Sequence, residues 1–182
     1  PKYRGPSPIE SAIANRDNIT GVTIMKLEQA MEAGPIYVQK SHKLNCTETQ
    51  PELYRTLGQL GAELLIHNLP DIISGVLQPT PQDDSHATYC SLLSKDNNRL
   101  DPSQLTADQA EAKIRAHLSY PRSRLNIGQY DLIITKARAV KAPKTPLDIK
   151  CADDNYLSID ELIAPSGKTM NAATFLRGYS LM

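Results

Sequence analysis

The chain has 182 residues, with twenty Lys and Arg balanced by twenty Asp and Glu, so its formal net charge is zero. A 40% hydrophobic and 22% charged composition is ordinary for globular proteins and excludes wholesale disorder. The balance also excludes a uniformly basic nucleic-acid binder, though not a polarised one, and no apolar run approaches the ~18 residues of a membrane span. The polar, proline-rich start lacks a signal-peptide pattern. Because it opens on Pro1 rather than Met, the sequence is expected to be a fragment or a processed chain.

Gly21–Leu27 (GVTIMKL) is rich in β-branched and apolar residues and predicts a buried strand, with a second over Pro35–Lys40 (PIYVQK). Thr49 followed by Pro51 marks a helix start. From there Leu53, Leu57, Leu60, Leu64, Leu65 and Leu69 recur at three- and four-residue steps to give one apolar face. Pro70 is expected to kink or end this helix, with Ile72-Ile73 as a last apolar turn before Gly75. Residues 80–104 are polar, contain prolines and Asp/Asn clusters, and hold no sustained period, so they read as a linker. Thr106-Ala-Asp-Gln109 is a capping box opening a helix over 107–118, which must stop before Tyr120-Pro121. Strand-like runs follow at Leu132–Val140, Leu147–Cys151 and Tyr156–Ile163. Turns at Ala142-Pro143-Lys144, Asp153-Asp154-Asn155 and Pro165-Ser166-Gly167 separate them, and Asn171 caps a short last helix. These elements give an α/β unit over 1–79, the linker, and a helix with a small β-barrel or sandwich over 105–182.

The zero net charge conceals a basic segment. Residues 113–150 carry nine basic side chains against only Asp131 and Asp148. Lys136 and Arg138 alternate onto one face of a strand. Lys141, Lys144 and Lys150 extend the set, and Arg122 and Arg124 flank the preceding loop. Such a cluster supplies sequence-independent, salt-sensitive affinity for phosphates, or simply solvates a surface.

Catalytic constellations are sparse. Cys46, Cys90 and Cys151 are odd in number and lack metal spacing, as expected of free thiols in a reducing compartment. His42, His67, His86 and His117 are scattered, and Ser166-Gly167-Lys168 lacks the preceding glycine of a phosphate loop and reads as a hairpin turn. The informative stretch is Gly21–Pro35, where a strand runs into a loop bearing Glu28 and Glu32, because open α/β sheets place ligands beyond strand ends. Two solvated surface acids are the plain alternative.

Six stretches in the right order carry a resemblance. Pro1–Ile9 (PKYRGPSPI), Gly21–Met25 (GVTIM) and Met31–Ile36 (MEAGPI) are similar to the second half of the catalytic domain of the methionyl-tRNA formyltransferase family. Leu93–Asp101 (LSKDNNRLD) resembles its interdomain segment, and Ala164–Lys168 with Met170–Gly178 (MNAATFLRG) its C-terminal signature. The resemblance implies an incomplete Rossmann-like formyltransferase domain (1–79) followed by an OB-like barrel (105–182) that binds tRNA. It implies transfer of a formyl group from 10-formyltetrahydrofolate, without a metal, to the α-amine of methionyl initiator tRNA, by a cytoplasmic enzyme that is monomeric when full-length.

Of the family's Asn, His and Asp, only the third position falls in this sequence, and Glu32 occupies it. The other two would precede Pro1, so the chain by itself is expected to be inactive. The resemblance places Leu27, Glu28, Met31, Gly34 and Pro35 beside the folate, and tRNA on Arg122, Arg124, Lys136, Arg138, Lys141, Lys144 and Lys150. It implies a packing role for Tyr120 and a core role for Phe175, the only phenylalanine. The rival readings are a formyltransferase acting on a nucleotide sugar and a non-catalytic RNA-binding module. Formyltetrahydrofolate hydrolysis is a further alternative on the same scaffold, whereas the basic C-terminal part argues against formylation of glycinamide ribonucleotide.

Overall fold

Helix α1 (Pro8–Ala14) leads into an antiparallel hairpin of β1 (Ile19–Met25) and β2 (Ile36–Lys43), followed by the 24-residue helix α2 (Gln50–Ile73). The structure, a computed structural model, describes residues 2–181. It divides into two compact units. One takes the residues up to Ala12 with Asp17–Leu92, and the other takes Ile13–Arg16 with the residues from Leu93 on.

In the first unit the hairpin register runs from Ile19 opposite Lys43 to Ile24 opposite Val38, with an irregularity before Met25. No β1 residue is buried, against the expectation of a buried strand. One hairpin and one helix cannot cover both faces of a strand, so its side chains alternate between half-buried and exposed. α2 packs on both strands. Its first turn is held by Glu52, whose carboxylate accepts from the Thr49 backbone N–H at 2.9 Å and the Thr49 hydroxyl at 2.7 Å. Those two bonds keep Glu52 below the usual carboxylate range. The helix continues through Pro70 and ends where Gly75 takes a φ of +75°. Only Leu53 and Leu57 of the six leucines are buried, while Leu65 and Leu69 are exposed. The periodic stripe is therefore fully covered at its N-terminal end, half-covered at Leu60 and Leu64, and exposed beyond.

The stretch read as a linker is ordered, in two parts. Thr80 and Ile36 exchange two backbone hydrogen bonds at 2.8 Å, and Arg4 bridges to Tyr89, which ties residues 80–92 into the first unit. Leu100 donates to Arg124 and Arg124 to Asn98, both at 2.9 Å, within the second unit. Backbone pairing with distant segments replaces the local periodicity that a sequence reading needs.

The second unit packs helix α3 (Ala107–Ala116) on an antiparallel sheet of β3 (Arg124–Ile127), β4 (Tyr130–Val140), β5 (Ile149–Lys150), β6 (Tyr156–Ile163) and β7 (Thr169–Asn171). Helix α4 (Ala172–Gly178) follows. The Thr106/Gln109 capping box forms at 2.9 and 3.1 Å, and Asp153 accepts the Ala107 N–H at 3.1 Å. Alanines at 107, 110, 112 and 116 are fully buried and let α3 lie close to β4 and β6. Asn171 caps α4 by accepting the Thr174 N–H at 2.8 Å. β6 is central, pairing with β4 along one edge and with β5 and β7 along the other. The path β3-β4-β6-β5 is open. Tyr120 is 46% exposed rather than packed, whereas Phe175 is fully buried in the core.

Candidate active-site loop and nucleic-acid interface

Residues 26–35 join the two strands of the hairpin and hold every residue expected near the folate. The stem closes where the Lys26 N–H donates to the Pro35 carbonyl at 2.9 Å. Gly34 lies under this closure. A Cβ there would stand 1.7 Å from the Lys26 carbonyl oxygen, so only glycine fits without moving backbone. Glu32 adopts a φ of +52°, a left-handed conformation that is uncommon for a residue with a side chain. Its carboxylate is exposed, as is that of Glu28, and Leu27 and Met31 project outward at 87% and 63% exposure.

Sequence reasoning missed what fixes this loop. Gln82, from the stretch read as linker, donates through Nε2 to the Gly34 carbonyl at 2.6 Å and the Glu32 carbonyl at 2.9 Å. Only tertiary structure brings residue 82 to the loop, so no periodicity marks it. Gly34→Ala should destabilise the first unit by about 1–3 kcal/mol, because overpacking against backbone cannot relax by side-chain rotation. Gly58→Ala is the control. Its Cβ meets nothing within 4 Å, and helix propensity should make it neutral or stabilising. Urea melts of the two variants check the contrast.

The basic residues sort into two kinds. Arg124 pairs with Asp131 at 2.9 Å, Arg138 with Asp160 at 3.0 Å and Lys150 with Asp154 at 2.8 Å. Asp131 also accepts from Arg99 at 3.1 Å, and the Arg124 contact first and then Arg99 hold its carboxyl below the usual range. Arg122, Lys136, Lys141 and Lys144 are exposed and form no ion pair within the described residues. A register shift around Lys136 leaves it opposite Glu161 and Arg138 opposite Ser158, with both cations on the exposed face. Lys141 and Lys144 follow in the turn after β4. Arg122 and Arg124 lie at the β3 end, and Lys150 sits on β5 beyond β6. The structure therefore gathers Lys136, Arg138, Lys141 and Lys144 into one run and sets the other three apart.

Asp148 does not oppose the lysines. It caps their turn, accepting from the Lys144 N–H at 2.7 Å and from the hydroxyls of Thr145 at 2.9 Å and Ser158 at 3.0 Å. Burial pushes its carboxyl up, but these donors together hold it below the usual range. Among the described residues no group of three His, Cys, Asp or Glu is placed to hold a metal ion, and no helix is long and apolar enough to cross a membrane.

The fold of this chain is also found in solved structures. HypX from Aquifex aeolicus in complex with tetrahydrofolic acid matches 95% of this chain and 32% of its own, with a TM-score of 0.70 at 18% identity. An N-formyltransferase from Helicobacter canadensis, in complex with folinic acid and dTDP-3-aminofucose, matches 87% and 61%, with a TM-score of 0.71 at 19% identity. Residues 1–69 match the formyl transferase family model, and residues 92–180 match the model of the formyl transferase C-terminal domain. The chain belongs to the formyl transferase family. Its sequence is 32% identical to the methionyl-tRNA formyltransferase of Halorhodospira halophila, over all of this chain and 62% of that protein. It is 37% identical to that of Lactobacillus acidophilus, over 98% and 60%. The chain thus spans about three-fifths of the length of these curated relatives.

Proposed function

We propose that the chain carries the acid-bearing loop and the RNA-binding unit of an enzyme that moves a formyl group from 10-formyltetrahydrofolate to the α-amine of methionyl initiator tRNA, in cytoplasmic translation initiation. The observation that carries this reading is the run of exposed cations along β4 and its following turn, of which Lys136, Lys141 and Lys144 have no ion pair among the described residues. A small-molecule acceptor has no use for so long a basic run, whereas a phosphate backbone does. The paired Arg138, Arg124 and Lys150 join it at little expense, since exposed ion pairs are worth only ~0–1 kcal/mol.

The donor supplies the formyl carbon. The loop fits it: Leu27 and Met31 offer exposed apolar surface for a flat ring, and the Glu28 and Glu32 carboxylates can accept ring N–H donors. Glu32 keeps the negative charge of the family's Asp one methylene further out, where it orients the proton-bearing group beside the reacting amine. Its position is set by the backbone of the loop, so a displacement of about an ångström would be felt in rate.

The test is binding of the chain to methionyl initiator tRNA across a salt series, with a triple Lys136→Glu, Lys141→Glu, Lys144→Glu variant beside it. The parent should bind with affinity that falls steeply as salt rises. The variant should bind more weakly, with a log–log slope shallower by roughly 2–3, or about one for each phosphate that no longer meets a cation. Equal slopes would remove RNA from β4. No binding even at low salt would favour the nucleotide-sugar acceptor.

A further inference from the structure

We infer that Gln82 is a positioning residue for the loop that carries Glu32, anchored from behind by the buried Arg4. Its effect on the donor rests on the function proposed above, but its geometry does not. The amide grips the loop at the strained residue and two positions after it, with Nε2 on the carbonyls of Glu32 and Gly34 at 2.9 and 2.6 Å. Its Oε1 accepts from Arg4 Nη2 at 3.1 Å, and the same Nη2 reaches Asp84 Oδ1 at 2.6 Å.

Arg4 can only donate, so it fixes which end of the amide is oxygen and turns the NH2 toward the loop. It is itself immobilised. It is 4% exposed, its N–H donates to the Thr88 carbonyl at 2.7 Å, and its carbonyl accepts from Cys90 at 2.9 Å. Its buried Nε finds no partner among the described residues, an unmet cost that the fold carries to keep the guanidinium there. The Thr80–Ile36 pair fixes the chain two residues before Gln82. Gln82 thus links a rigid anchor to a turn whose Glu32 φ of +52° would otherwise relax.

Two substitutions take the link apart. Gln82→Glu keeps an acceptor for Arg4 and removes both donors to the loop, while Gln82→Met keeps the length and removes both ends. Hydrogen exchange should quicken at least tenfold in both variants, confined to residues 27–35, with the thermal transition of the Glu variant close to the parent. Folinic acid, used as the probe, should bind each variant at least tenfold more weakly than the parent chain. Unchanged loop exchange in Gln82→Glu overturns the inference. So does exchange that quickens equally throughout the unit in both variants, because that marks a residue of general stability. Faster loop exchange in a chain whose parent binds no folinic acid supports the positioning role and instead sinks the folate reading.

Discussion

Phe175→Ala is expected to cost the second unit about 3–5 kcal/mol, the usual loss for deleting a fully buried ring. The side chain is completely buried, stacks on Tyr179 with centroids 4.6 Å apart, and meets Tyr130 edge-on at 5.7 Å. Tyr130 and Tyr179 also meet edge-on at 5.5 Å, so the three rings form one closed cluster. This cluster joins α4 and the residue after it to the start of β4. Few compensating shifts are open to it, because each ring holds the other two. A unit of this size loses ~4–8 °C per kcal/mol, so its transition should fall on the order of 15–30 °C or vanish. Phe175→Leu, which leaves a smaller void, should lose roughly half as much. Differential scanning calorimetry of both variants decides the matter. A drop below ~1 kcal/mol for alanine would mean the cluster is not packed as described.

The second large effect concerns acid. His117, at the C-terminal end of α3, is 5% exposed, and burial first, then the charge of Lys113, lowers its pKa from 6.5 to about 4. Its Nδ1 lies 3.5 Å from the Ser123 hydroxyl. A base with a depressed folded pKa binds its proton more readily when unfolded. Below pH 6.5 the unfolded chain takes up a proton that the folded chain refuses, so stability falls as pH drops from 6.5 toward 4. A gap of that size is worth up to about 3 kcal/mol. His117→Gln should flatten the pH dependence in this window. The lowered carboxyls of Asp131 and Asp148 act instead near and below their ordinary pKa of 3.8, and so they fall outside it. Urea melts at about pH 7 and about pH 4.5 give the comparison. A parent chain equally stable at both would mean that His117 is hydrated.

Family membership and the longer regular elements are legible in the sequence alone. Thr106 with Gln109, Asn171, and the alternating runs of β4 and β6 are local signals, since caps and periods depend on residues a few positions apart. Short β3 and β7 had no such signal and form because β4 and β6 offer them an edge, while the run expected over Leu147–Cys151 pairs only through the two residues of β5.

What remained depended on which parts of the chain meet in space. Whether a helix stripe is buried depends on what lies across from it, and of the α2 leucines only Leu53 and Leu57 found full cover. Charge counted along the chain suggested seven equivalent cations, but Asp154 and Asp160, from outside the basic stretch, claim Lys150 and Arg138. The loop around Glu32 could be located from sequence, whereas its anchor could not. Gln82 lies fifty positions from Glu32, and a hydrogen bond across that separation leaves no trace in local pattern. Side chains whose partners are distant in sequence acquire their roles only when the chain folds.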